Sequence, residues 1–147
     1  MIKVLILTAG ICTLMNDVSW KDAPMPSYAY EEKAPEEDVD LLARCITAEM
    51  GYNKSEDVYY YAGSVVINRM KSDDFPTDLV DVIYQKGQYQ CTWNGHIERE
   101  PDELAVTVAN ALLLDGTYLP EDVVFQAEFK QGSEVYAYIN NTYFCYK

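Results

Sequence analysis

The 147-residue chain is poor in bases, in histidine and in cysteine. Eleven Lys and Arg stand against 24 Asp and Glu, a formal charge of −13. There is no basic patch, so nucleic acid phosphates would be repelled rather than gripped. A single His and four cysteines (Cys12, Cys45, Cys91, Cys145) with no Cys-x-x-Cys pair exclude a zinc signature. Both a Cys91–Cys145 disulfide and buried free thiols fit this spacing. No metal, nucleotide or redox motif occurs, and no cofactor is expected. Internal repeats and low-complexity tracts are also missing. The apolar run Val4 to Met15 is about a dozen residues long, short of the roughly 20 a membrane-spanning helix needs.

That run follows Met1-Ile2-Lys3 in the layout of a signal peptide, so residues 1–16 read as a leader or membrane-anchor-like segment. A buried first strand is the alternative. Residues 17–37 read as an acidic linker punctuated by Pro24, Pro26 and Pro35. Residues 38–147 are then the globular domain. Its apolar content and thirteen tyrosines suit a packed core with amphipathic surfaces of the kind that bind sugars, though sheets and helix faces use Tyr equally.

The informative stretch is Leu41 to Gly51. Leu41, Leu42, Cys45 and Ile46 recur at helical spacing, with Asp38 as expected N-cap and Gly51 as stop. Glu49 falls on that same apolar stripe, four residues past Cys45. A carboxyl group leaning on apolar neighbours is less well solvated when charged, so its pKa rises. Such a group can hold a proton near neutral pH and give it to a leaving oxygen. A Glu at a fraying helix end, pointing into water, is the competing reading.

Further along, Ser55 opens a second helix through Met70, although Val65-Val66-Ile67 would also suit a strand. Thr77 to Gln85 predicts a third helix and Pro101 to Leu114 a fourth. Between them Gln85-Lys86-Gly87-Gln88-Tyr89-Gln90 has the polarity of a surface for a neutral ligand, or of a solvated loop. From Asp122 the period becomes two: Val123 to Phe129 and Glu134 to Ile139 read as strands paired around Lys130-Gln131-Gly132-Ser133, and Thr142 to Tyr146 as a third. Helices first and an antiparallel sheet last give an α+β class. His96, in a turn, is assigned no role.

Several of these residues, taken in order, resemble the SleB-type cell wall hydrolases, a family of spore-cortex-lytic enzymes and phage lysins. They are Leu42-Ala43-Arg44, Ala48-Glu49, Val65-Val66-Ile67-Asn68-Arg69, Phe75-Pro76, and Ile83-Tyr84-Gln85 with Gly87-Gln88-Tyr89. The resemblance implies a lysozyme-like helical part followed by a small sheet, and a monomer that is exported or phage-encoded. It also implies cleavage of peptidoglycan glycan strands as a lytic transglycosylase, with Glu49 as the acid. Gln85, Gln88 and Tyr89 would contact substrate, as would Phe125 and Gln126, which replace part of the family's aromatic sheet run. The N-terminal segment would allow transient membrane association. Asn53 stands where the family usually has a second acid; Glu56, Asp57 or Glu128 would have to serve as base in a conventional hydrolase. A non-catalytic wall- or protein-binding module is the alternative function.

Overall fold

Proline and acid set where the first helix begins. In the computed structural model, which describes residues 33–147, α1 spans Glu36–Met50. It starts ahead of the expected Asp38 cap. Pro35 holds the cap position, and its carbonyl accepts from the Asp38 and Val39 amides at 3.1 and 3.0 Å. Asp38 sits instead in the first turn with Glu36 and Glu37, where the helix dipole favours all three. Gly51 ends the helix at φ +88°, a region that glycine enters without strain. The expected leader and residues 17–32 of the expected linker lie outside the described residues. Among the described residues, no helix is long and apolar enough to cross a membrane.

The second helix, α2, spans Glu56–Lys71. Ser55 occupies its N-cap position without a side-chain cap bond. Val65, Val66 and Ile67 are helical because all three are buried, and tertiary packing overrides their β preference. Gly63 faces Leu112 and Ile46 with no room for a side chain, which lets α2 press against its neighbours. The third helix, α3, is only Leu79–Ile83, shorter than the sequence pattern suggests. Asp78 caps it by accepting from the Val80 amide at 2.9 Å. Two 3₁₀ turns follow, Gln90–Thr92 and His96–Glu98. Then α4 runs Glu103–Asp115, capped by Asp102, which accepts from the Leu104 amide at 2.9 Å.

Three strands close the chain: β1 Val123–Ala127, β2 Val135–Ile139 and β3 Thr142–Tyr146. The fold is α+β. The expected β1–β2 pairing does not occur: the order is β1-β3-β2, with β3 antiparallel to both. The connection from β1 to β2 passes the end of β3 instead of turning back on itself. Ser133 donates its amide to the Tyr146 carbonyl (3.2 Å) and its hydroxyl to the Lys147 carbonyl (2.7 Å). Gly132 lies so close to the Tyr146 carbonyl that any side chain would collide with it. The tight hairpin is the one from β2 to β3. There Asn140 and Asn141 take φ of +51° and +60°, as a two-residue turn of this hand requires.

One apolar cluster fills the space between α1, α2 and α4. A second, Val65, Leu119, Val123 and Phe144, fastens α2 to the sheet. Two polar side chains at the end of α2 lock this joint. Asn68 Nδ2 donates to the Pro120 and Val123 carbonyls (2.8 and 2.9 Å), and Arg69 Nε donates to the Val124 carbonyl (2.8 Å). The end of α2 is thereby held against the start of β1.

Candidate active site

Glu49 lies in the last turn of α1, half-buried beside the stripe that carries Cys45. Burial lifts its carboxyl above the ordinary 4.5. The thiol and main chain of Cys91, then the charges of Arg69 and His96, favour the carboxylate and offset part of that rise. The burial that the stripe implies is therefore present, and its effect on the acid has the expected sign.

The wall behind Glu49 is neutral. Cys45 and Cys91 are buried, free and adjacent; Cys91 and burial together hold the Cys45 thiol well above its ordinary 9.0. Cys145, on β3, is also buried and free, so free thiols, not a Cys91–Cys145 bridge, describe these residues.

The turn after Glu49 is tied down by a set of hydrogen bonds. Tyr59 Oη donates to the Gly51 carbonyl at 2.9 Å. Asn53 sits at φ +55°, a left-handed position that Asn tolerates, and its amide donates to Asp102 Oδ2 at 2.8 Å. The Asp102 amide donates in turn to Thr47 Oγ1 (3.0 Å), and Tyr52 Oη donates to the Glu100 carbonyl (2.7 Å). Arg44 pairs with Asp40 at 2.6 Å and reaches the Arg99 carbonyl at 2.7 Å, joining α1 to the segment after the second 3₁₀ turn. Across the molecule, Asn140 Nδ2 donates to the Met50 carbonyl (3.2 Å). Asn53 thus serves backbone geometry at the position where a second acid was sought. Glu56, Asp57 and Glu128 are exposed, and the charges acting most on Glu49 are Arg69 and His96 rather than any of these three.

Two cavities are informative. One of about 220 Å³ adjoins the end of α1, walled by Thr47, Ala48, Gly51 and Tyr52 together with Arg44, His96, Arg99 and Glu100. Arg44 and Arg99 share that lining with the Glu100 carboxylate, which lies 3.7 Å from the Arg44 guanidinium. The other, about 460 Å³, lies at the end of α2 and is lined by Arg69, Gln88, Phe125, Gln126 and Gln131.

Of the residues singled out from the sequence, Gln88, Phe125 and Gln126 come together in this second cavity. Gln85 is half-buried just beyond α3, its main-chain carbonyl accepting from the Gln88 amide at 3.1 Å. Tyr89 lies a layer deeper, 1% exposed, with the Arg69 guanidinium 5.0 Å from its ring centre. Burial pushes its hydroxyl above the ordinary 10.0. Arg69 and His96 carried no assigned role. For Arg69 a signal was present: with Asn68 it follows the apolar run Val65-Val66-Ile67 near the end of its helix. His96 had none, since its approach depends on the turn at Gly95, φ +79°. Among the described residues, no group of three potential metal ligands occurs.

The model of the family described as Cell Wall Hydrolase matches residues 56–144, more than half of the chain. Glu49 precedes the matched segment; Arg69, Gln85, Gln88, Tyr89, Phe125 and Gln126 all lie within it. No curated protein and no solved structure matches the chain.

Proposed function

Because the chain belongs to the SleB-type cell wall hydrolase family, we propose that it cuts peptidoglycan glycan strands as a lytic transglycosylase, with Glu49 as acid and then base. The family gives the coarser activity, cell wall hydrolysis with peptidoglycan as substrate. The observation that carries the finer reading is a half-buried carboxyl group, raised in pKa, whose strongest charged neighbours are cations rather than a second acid.

The chemistry then needs one carboxyl group. Protonated Glu49 gives its proton to the glycosidic oxygen as the bond to C1 of N-acetylmuramic acid breaks. The 6-hydroxyl of the same sugar closes on C1 and returns a proton to the Glu49 carboxylate. The product is a 1,6-anhydro end, no water is consumed, and the acid is regenerated. A retaining or inverting hydrolase would instead need a second carboxylate within about 5–10 Å. Gln85, Gln88, Tyr89, Phe125 and Gln126 are the proposed substrate contacts. Export through residues 1–16 to act at the wall as a monomer belongs to the same proposal.

Mass spectrometry of soluble products from purified peptidoglycan tests this. Anhydro-muropeptides are expected from the parent and none from Glu49→Gln, since removing a general acid costs roughly 10²–10⁴ in rate. Reducing-end products without the anhydro mass would replace transglycosylation with hydrolysis. The use of Asn53 for backbone geometry where the family usually has an acid supports a second reading, a wall-binding module. Sedimentation with peptidoglycan and no released product would favour it.

A further inference from the structure

Three of the four cysteines lie among the described residues, and two of them meet. Cys45 sits within α1, one helical turn before Glu49, and is 1% exposed. Cys91 sits in the first 3₁₀ turn, Gln90–Thr92, and is 2% exposed. Both belong to the apolar cluster between the helices, and their thiols lie within hydrogen-bonding reach of each other. Cys145 lies on β3 in the sheet.

The two 3₁₀ turns are held differently. The second is tied to α1 by Arg44, whose guanidinium donates to the Glu98 and Arg99 carbonyls at 3.2 and 2.7 Å. In the first, the hydrogen bonds are local: Thr92 Oγ1 donates to the Tyr89 carbonyl (2.8 Å), and the Trp93 amide to the Gln90 carbonyl (3.2 Å). Cys45 and Cys91 meet where a matching tie to α1 would lie. A buried thiol packs as a small apolar side chain. Two that touch also have a chemistry that two alanines lack, because an oxidising compartment converts such pairs to disulfides.

Resting on the exported reading above, we propose that Cys45 and Cys91 form a disulfide, a covalent staple between α1 and the 3₁₀ turn behind Glu49. The step is exchange with a small-molecule or protein disulfide. One cysteine attacks that disulfide, forming a mixed disulfide and releasing one thiol. The second cysteine attacks the mixed bond, forming the Cys45–Cys91 bond and releasing the other thiol. Each cysteine gives up its S–H proton, the pair loses two electrons, and the partner disulfide is reduced to two thiols. Cys91 and burial hold the Cys45 thiol well above its ordinary 9.0, so little thiolate exists once the core has closed. The bridge therefore forms while the chain folds, and burial afterwards shields it from reductant.

The test starts from the full chain, unfolded and reduced. It is refolded either with glutathione and glutathione disulfide or with a phosphine reductant. Remaining thiols are alkylated, and tryptic peptides are mapped by mass spectrometry. After oxidative refolding, the peptides of residues 45–54 and 87–99 are expected joined, lighter than their sum by two hydrogens. The bridge closes a loop of about 46 residues, so the oxidised chain should melt roughly 5–15 °C above the reduced one. Cys45→Ala should abolish the joined peptide and this difference; the mapping of the unsubstituted chain decides even where that variant folds poorly. Cys45 and Cys91 both alkylated after oxidative refolding, a bridge from either to another cysteine, or a joined chain that melts no higher than the reduced one would each overturn the staple. Neither measurement involves peptidoglycan. A bridged chain that releases no anhydro-muropeptides sinks the transglycosylase alone, and release by a chain that never bridges sinks the staple alone.

Discussion

The turn that follows Glu49 and the end of α2 beside Arg69 face the same cluster of buried groups, yet they treat polarity in opposite ways. In the turn, Gly51, Asn53, Asp102, Thr47 and Tyr59 consume one another's hydrogen-bonding capacity. Near Arg69, the guanidinium, the Tyr89 hydroxyl and two glutamine oxygens keep capacity in reserve. The first arrangement is that of a scaffold, which fixes a helix end and the acid on it. The second leaves buried polar atoms without partners. A protein gains rigidity from the first, whereas each unmet atom of the second costs about 1–3 kcal/mol of desolvation.

The comparison can be broken most forcefully at the scaffold's packing. Gly63→Ala inserts a methyl group against Leu112 and Ile46, both fully buried, where no space exists. A loss of about 1–3 kcal/mol is expected from chemical denaturation, as for other overpacked cores. A matched pair of hydroxyl deletions then sharpens the contrast. Tyr59→Phe removes a bond to the Gly51 carbonyl and should lose roughly 1 kcal/mol. Tyr89→Phe removes a buried hydroxyl with no partner and should be neutral or mildly stabilising by the same measurement. Equal losses in the two would erase the distinction between the regions.

The smallest expected effect is electrostatic. Glu49 has a folded-state pKa raised above its ordinary 4.5 by burial, so its contribution to stability is fully present below 4.5 and is lost as pH rises through the raised value. Glu49→Gln stays neutral throughout. The variant should therefore melt higher than the parent at neutral pH, with the gap closing as pH falls toward 4.5. A variant less stable than the parent at neutral pH would show that the cations Arg69 and His96 outweigh burial.

How much of this was legible in the sequence follows from the range of the forces involved. The placement of Glu49 on an apolar stripe is local information, and helical periodicity delivered it together with the direction of its pKa. The start of α1 was read late because Asp38 looks like a cap, whereas Pro35 supplies the carbonyl that the first amides use. The sheet order was not legible, because it depends on Gly132 and Ser133 meeting the far end of β3, a contact that alternation cannot encode. The glutamine loop and Gln126 were visible as polar residues among aromatics, but Arg69, which lines the same cavity, carried no assigned role although it closes the motif Val65-Val66-Ile67-Asn68-Arg69. It is packed by Phe75, six residues on, and by Tyr89 and Val124, which lie farther along the chain. The cavity beside the end of α1 was hidden for the same reason, its lining being drawn from α1, from the turn after it and from positions 96, 99 and 100.

The central claim is that burial keeps Glu49 protonated where an exposed glutamate would be charged. Its side-chain carboxyl can be followed directly by NMR across pH in the selectively labelled full chain, with assignment by loss of the signal in Glu49→Gln. The account predicts a midpoint above 4.5, with peptidoglycan cleavage declining as pH rises through that same midpoint. A midpoint at or below 4.5 would contradict it, since the carboxyl group would then have no proton to give at the pH where the enzyme works.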